Sequence, residues 1–154
     1  MTSPTSKVPP RNPADLLVMI VDDEADVRLL VEFNVKKEGF QTVTAINGLD
    51  ALKKLEPRTP DLIILDLMMP SQSGYEFLRN LQAGGHGGIP VFIATARSLD
   101  SSTVDVIRQE SNVVEFFTKP FNWPLFVAAM HKRLKTERSS PRARPRSSDE
   151  WTTD

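Results

Sequence analysis

Five residues could converge into one reactive site: Asp22 and Asp23 in VDDE, Asp66 in ILDLMMPSQSG, Thr95 in IATA and Lys119 in FFTKPF. Each stands at or just past the end of a short apolar run, which is where a parallel α/β sheet gathers its polar groups. Asp66 poses the sharpest question, because Leu62, Ile63, Ile64 and Leu65 precede it and Leu67, Met68 and Met69 follow. A carboxylate in a strand buried on both faces is costly unless it is neutralised, paired or metal-bound. Three carboxylates in one small site need a cation to offset their repulsion. All-oxygen ligands favour a hard ion, and Mg2+ (or Mn2+) suits one or two carboxylates plus phosphate oxygens better than Zn2+ does. A carboxylate beside such an ion, an ammonium and a hydroxyl can attack phosphorus and form an acyl phosphate. Of the three equatorial oxygens, the metal would take one, Lys119 a second, and Thr95 or nearby backbone amides a third.

Elements that could position these residues are visible as periodicity. Five apolar runs recur at even spacing: LLVMIV (16–21), QTVTAI (41–46), LIILDL (62–67), PVFIAT (90–95) and VVEFFT (113–118). Between them, helical spacing groups Val27, Leu30 and Val31, then Gly48, Ala51, Leu52 and Leu55, then Gly74, Phe77, Leu78 and Leu81. Val104 and Ile107 mark a fourth helix, and Phe126, Ala129 and Met130 a fifth. Strand and helix in alternation predict an α/β fold, a doubly wound five-stranded parallel sheet with helices on both faces. Gly39 is expected to end the first helix, Asn47 and Ser73 to start the second and third, and Asn122 to cap the last.

At 154 residues with 40% hydrophobic and 25% charged side chains, the chain has the composition of one soluble globular unit. The absence of cysteine excludes disulfides, thiolate metal sites and cysteine nucleophiles. A formal charge of −1 singles out no polyionic partner for the whole chain. No apolar run is long enough to span a bilayer, and the N-terminal stretch has no apolar core for a signal peptide, so a cytoplasmic protein without membrane insertion is expected. Residues 1–14, rich in proline, are expected to be a disordered lead-in, 15–136 the domain, and 137–154 an Arg/Ser/Pro-rich tail or linker. The tail's arginines could contact nucleic acid, yet such a run is more often a solvated terminus, and nucleic acid is not expected as a partner.

VDDE, ILDLMMPSQSG, IATA and FFTKPF, in this order and spacing, resemble the receiver domain of bacterial two-component response regulators over about residues 15–136. The resemblance implies a flavodoxin-like sheet of order 2-1-3-4-5, with Asp22 and Asp23 beside Asp66 at the switch point. It makes Asp66 the phosphoacceptor, Asp23 a direct Mg2+ ligand, Asp22 an acid that reaches the metal through water, and Met68 a ligand through its backbone carbonyl. Thr95 and Phe116 match the switch pair, Lys119 the lysine that contacts phosphate, and Pro120 the proline after a cis peptide bond. Met68 and Arg97 hold positions that tune the lifetime of the phosphorylated form. Neither is a general base at neutral pH, which predicts a persistent phosphoprotein. A sensor histidine kinase or histidine phosphotransfer protein is the implied donor and an unidentified downstream protein the listener, with a phosphorylation-dependent dimer left open. The fourth helix, fifth strand and fifth helix are the implied output face. The chain departs from the family in carrying Ser71 and Asn112 where glycine is frequent, and Phe116 where tyrosine is commoner, which would make the switch a matter of packing alone.

Plainer roles exist for each residue. Asp22 and Asp23 could cap the following helix, Thr95 could be an ordinary strand-end residue and Lys119 a solvated one. AGGHGG (83–88) is not a phosphate loop, because its glycines follow a helix and lead into a strand, and His86 within it is expected to be exposed. Phe121, Trp123 and Phe126 read as core or interface. Two rival functions remain. One is a Mg2+-dependent aspartyl-phosphate phosphatase, whose nucleophile would sit on the first strand; the other is a phosphorylation-independent protein- or nucleic-acid-interaction module.

Overall fold

The computed structural model describes residues 9–67, 74–95, 101–110 and 112–138. The chain forms β1 (Leu17–Val21), α1 (Ala25–Lys37), β2 (Gln41–Ala45), α2 (Gly48–Lys54), β3 (Leu62–Asp66), α3 (Gly74–Ala83), β4 (Val91–Thr95), α4 (Ser101–Arg108), β5 (Val113–Thr118) and α5 (Trp123–Leu134). All strands are parallel, in the order β2-β1-β3-β4-β5. The order reverses between β1 and β3, as the sequence resemblance implies.

Side-chain alternation splits the core in two. Met19, Val21, Ile63, Leu65, Val91 and Ile93 face α2, α3 and α4. Val18, Ile20, Leu62, Ile64, Phe92 and Ala94 face α1 and α5. The continuous apolar runs arise because β1, β3 and β4 are buried on both faces, Asp66 included. β2 and β5 are edge strands and only partly buried.

The helix boundaries follow local chemistry. Asn47 Oδ1 accepts from the Asp50 N–H at the start of α2, and Asn122 Oδ1 accepts from the Leu125 N–H at the start of α5. After α1, Gly39 takes a positive φ of 100°, which lets the chain turn back into β2. Ser71 and Ser73 lie outside the described residues.

Two expectations need correction. Leu30 does not belong to the buried face of α1: it is 50% exposed, and the buried positions are Val31 and Val35, with Val27 packed at their edge. A stripe spaced by four suffices for a helix lying on a sheet, so Leu29, Leu30 and Phe33 are left on the outer face, where the Lys37 ammonium sits 5.8 Å from the Phe33 ring centre. Asn112, at a departure from the resemblance, has no positive φ, Lys135 being the one non-glycine residue with positive φ among those described. Its buried amide instead donates to Ile89 O and accepts from Gln82 Nε2, bracing the connection into β4. His86 is half-buried where exposure was expected.

The end of the sheet remote from the strand C-termini is closed by both flanking segments. Asn12 caps a single 3-10 turn at Pro13–Asp15, and the Arg11 N–H donates to Lys135 O at 2.8 Å. His131 on α5 bridges Glu38 Oε1 at 2.9 Å and Thr136 Oγ1 at 2.6 Å.

Candidate functional site

Register decides what meets at the carboxyl edge. Val21 pairs with Leu65, so the next residue along each strand puts Asp22 alongside Asp66. On the other side, Asp66 pairs with Ala94, and Thr95 pairs with Thr118, the residue before Lys119. A parallel sheet of this order therefore brings residues 22, 66, 95 and 119 to one rim although they are far apart in the chain.

Asp22, Asp23 and Asp66 each turn a carboxylate oxygen into a common space, all within 4.8 Å of one another. Asp22 and Asp66 are buried and Asp23 is exposed, which leaves the cluster open on one side. This is an all-oxygen, multiply acidic set of the kind that holds a hard divalent ion, and Mg2+ fits the donors present. Neither Asp22 nor Asp23 caps α1. The cap position belongs to Glu24, whose side chain makes no capping bond, while Asp22 Oδ1 accepts from the Glu24 N–H at 2.9 Å.

Lys119 reaches across this cluster. Its Nζ lies 3.1 Å from Asp22 Oδ2, 3.4 Å from Asp66 Oδ2 and 3.7 Å from Glu24 Oε1. Burial works against the charge, but the hydrogen bond to Asp22 and the field of Asp66 outweigh it and hold the lysine pKa above its ordinary value. The ammonium is positioned by its own backbone, whose N–H donates to Thr95 O at 2.8 Å, and the Lys119–Pro120 peptide bond is cis.

Thr95 completes the rim. It is 3% exposed, and its Oγ1 is the single buried side-chain polar atom without a hydrogen-bond partner among the described residues. Alternation puts Thr95 on the same sheet face as Ile93, whose neighbour on β5 is Phe116. Phe116 is half-buried against the α2–α4 side of the core, and the Arg108 guanidinium from α4 covers its ring at 4.5 Å. Next to α5, Phe121, Trp123 and Phe126 form one aromatic cluster with Phe92 and Phe117, so they act as core.

The structure thus brings together Asp22, Asp23, Asp66, Thr95 and Lys119, with Phe116 on the adjoining face. Met68 and Arg97 lie outside the described residues. Two contributors were missed in the sequence. Glu24, the fourth residue of VDDE, supplies a further acid near Lys119, and Arg28 donates from NH1 to Asp22 O at 2.8 Å. The quartet itself pointed to Glu24, whereas Arg28 becomes visible only once α1 is seen to start directly beneath the site.

Known proteins share the fold. The model of the response regulator receiver domain matches residues 18–131. The response regulator TrrA from Thermotoga maritima, solved in complex with Mg2+-BeF, is 31% identical, with a TM-score of 0.66 over 77% of this chain and 99% of that one. The receiver domain of NtrX from Brucella abortus is 28% identical, with a TM-score of 0.69 over 78% of this chain and 99% of that one. A CheY-like receiver domain protein from Methanospirillum hungatei is also 28% identical, with a TM-score of 0.68 over 77% and 93% of the two chains. Its strand order, its acidic rim and this match over most of its length agree, and the chain belongs to the response regulator receiver domain family of two-component signalling.

Proposed function

We propose that the protein is a phosphoacceptor switch that takes a phosphoryl group on Asp66 from a phosphohistidine and reports it to a protein partner. The observation that carries this reading is the Thr95 hydroxyl, without a partner among the described residues, at the same rim as the Lys119-bound Asp66. A buried hydroxyl without a partner is destabilising in itself, so its retention favours a state in which an acceptor arrives. A phosphoryl group on Asp66 would bring oxygen acceptors to that rim.

In the transfer, an Asp66 carboxylate oxygen forms the new O–P bond as the donor's N–P bond breaks, and the imidazole leaves. Lys119 neutralises charge on the phosphoryl oxygens as a compact ammonium already held at the site. Asp22, Asp23 and Asp66, with the Met68 backbone carbonyl, would hold Mg2+ or Mn2+. When bound, the ion offsets the acidic charge and polarises the phosphoryl group. Thr95 moving toward phosphate would vacate space next to Phe116, and the ring would follow, which transmits the change to the α4, β5 and α5 surface. Leu29, Leu30 and Phe33 lie exposed on α1, the helix that begins just past the acidic rim, and an apolar patch so placed suits a docking donor protein. Met68 and Arg97 would leave the phosphoryl group without a neighbouring general base and prolong its life.

The deciding experiment is intact-mass analysis after incubation with a small acyl phosphate, with and without Mg2+. A gain of one phosphoryl group that needs Mg2+ and disappears in Asp66→Asn is the expected result. No gain in the unmodified protein would leave the acids as a metal-only or structural cluster and favour the interaction-module reading.

A further inference from the structure

A groove runs between the β5 edge and α5, from Thr118 and Pro120, the neighbours of Lys119, along the flank of the molecule to Lys132, Arg133 and Lys135. It consists of two adjoining hollows of about 410 and 440 Å3 that share Glu115 and Ala129. Its floor is apolar, made by Ala128, Ala129 and the 63%-exposed Leu125. Its wall is basic: Lys132, Arg133 and Lys135 all line it, and none of the three forms an ion pair among the described residues. Glu115 is the one acid opposite them. Among the described residues no strand pairs with the outer side of β5, so part of its main chain can accept an extended segment.

The chain carries a segment of complementary chemistry. Beyond Arg138, arginines 142, 144 and 146 would be repelled by the basic wall, but residues 147–154 read SSDEWTTD, with acids at 149, 150 and 154 around Trp151. We propose that this acidic, aromatic segment occupies the β5–α5 groove of its own chain. Trp151 would cover the alanine floor while Asp149 and Glu150 face Lys132 and Arg133. The chain leaves α5 through Lys135, which itself lines the groove, so the segment is delivered to the right flank. Between residues 138 and 151 the backbone can span about 40 Å at ~3.3 Å per residue. α5 is only about 18 Å long at ~1.5 Å per residue, so the reach is ample. Tethering also presents the segment at an effective concentration of about millimolar, so weak intrinsic contacts suffice. Occupancy would cover Leu125 and the outer edge of β5, surfaces that a partner reading Phe116 would need. The segment then acts as a competitor for that face.

The absence of cysteine permits a direct test on the full chain. A nitroxide placed on Ser148→Cys, in 15N-labelled protein, should strip most of the intensity from the amide signals of Ala128, Ala129 and Lys132, and restore it when the label is reduced. Raising salt from ~0.1 M to ~1 M, which shortens the screening length from about 10 Å to 3 Å, should relieve the loss. The double change Lys132→Glu and Arg133→Glu, at exposed positions, should do the same with the rest of the spectrum unchanged. Trp151→Ala should weaken the effect. Signal loss spread evenly, centred elsewhere or absent would overturn the proposal. So would loss reproduced by mixing spin-labelled unenriched chains with unlabelled 15N chains, since the occupant would then be a second copy.

Discussion

The ammonium of Lys119 lies 3.4 Å from Asp66 Oδ2, although β5 and β3 are separated by β4 and their residues have no other reason to meet. The lysine also holds Asp22 at 3.1 Å, so one cation compensates two buried acids. Replacing it by methionine keeps the stem and removes the charge. The Lys119→Met protein is expected to lose up to about 3 kcal/mol of stability, because both carboxylates remain buried without their counter-ion. Mg2+ should restore more stability to the variant than it adds to the unmodified protein, as followed by urea unfolding. Equal effects of Mg2+ on both would mean that the acids do not hold a cation.

Thr95 offers a test with the opposite sign. Its hydroxyl is buried and unpartnered among the described residues, so Thr95→Val, which preserves shape, should leave the unphosphorylated protein as stable or up to about 1 kcal/mol more stable. The same change should abolish the phosphorylation-dependent movement of Phe116, observed as loss of the chemical-shift change at that residue while the mass still rises by one phosphoryl group. A destabilised unphosphorylated Thr95→Val protein would show that the hydroxyl already has a partner and is not held in reserve.

Much of this architecture was legible because a parallel sheet writes itself twice, as apolar runs and as the polar residues that end them. Asp66 stood out in LIILD because no amphipathic pattern could excuse it, and Asn47 and Asn122 were readable because capping is local. Leu30 was not, since i+3 and i+4 neighbours compete for the same face and only the rotation of α1 over the sheet decides between them. The role of Asn112 was not legible because it depends on Ile89 and Gln82, 23 and 30 residues away. The same holds for Arg108, whose position over the Phe116 ring depends on how α4 packs beside β5.

Acid stability depends in part on Asp50 at the start of α2. Partial burial raises its pKa, but the Ile46 N–H at 3.0 Å and Lys54 at 3.2 Å outweigh this and hold it below its ordinary 3.8. A carboxyl depressed on folding contributes stability that is complete above the unfolded pKa and is lost as pH falls through the lower, folded one. The stability difference between the unmodified protein and Asp50→Asn should therefore be constant above about pH 5 and shrink on acidification through and below 3.8. A difference that stayed flat to the acid limit would show that these contacts do not discriminate between the ionised and neutral carboxyl.

Gly74 connects packing to chemistry most directly. It opens α3 against the end of β3, and a methyl group there would stand 2.8 Å from Leu67 Cα, 2.9 Å from Leu67 Cδ2 and 3.1 Å from Asp66 O. Two of those atoms are backbone, so the overlap can be relieved only by moving the helix or the strand end. Gly74→Ala is therefore expected to destabilise the fold by about 1–3 kcal/mol despite the better helix propensity of alanine. Displacement of the strand end would carry Asp66 away from Asp22 and Lys119, so phosphoryl uptake from an acyl phosphate should slow at temperatures where the variant is still folded. Gly84→Ala at the end of α3 is the control, because its nearest obstacle is Asn80 O at 3.3 Å and the site is remote. Similar slowing in both variants would trace the effect to general loss of stability, whereas slowing in Gly74→Ala alone would show that the α3–β3 contact sets the position of the carboxylate.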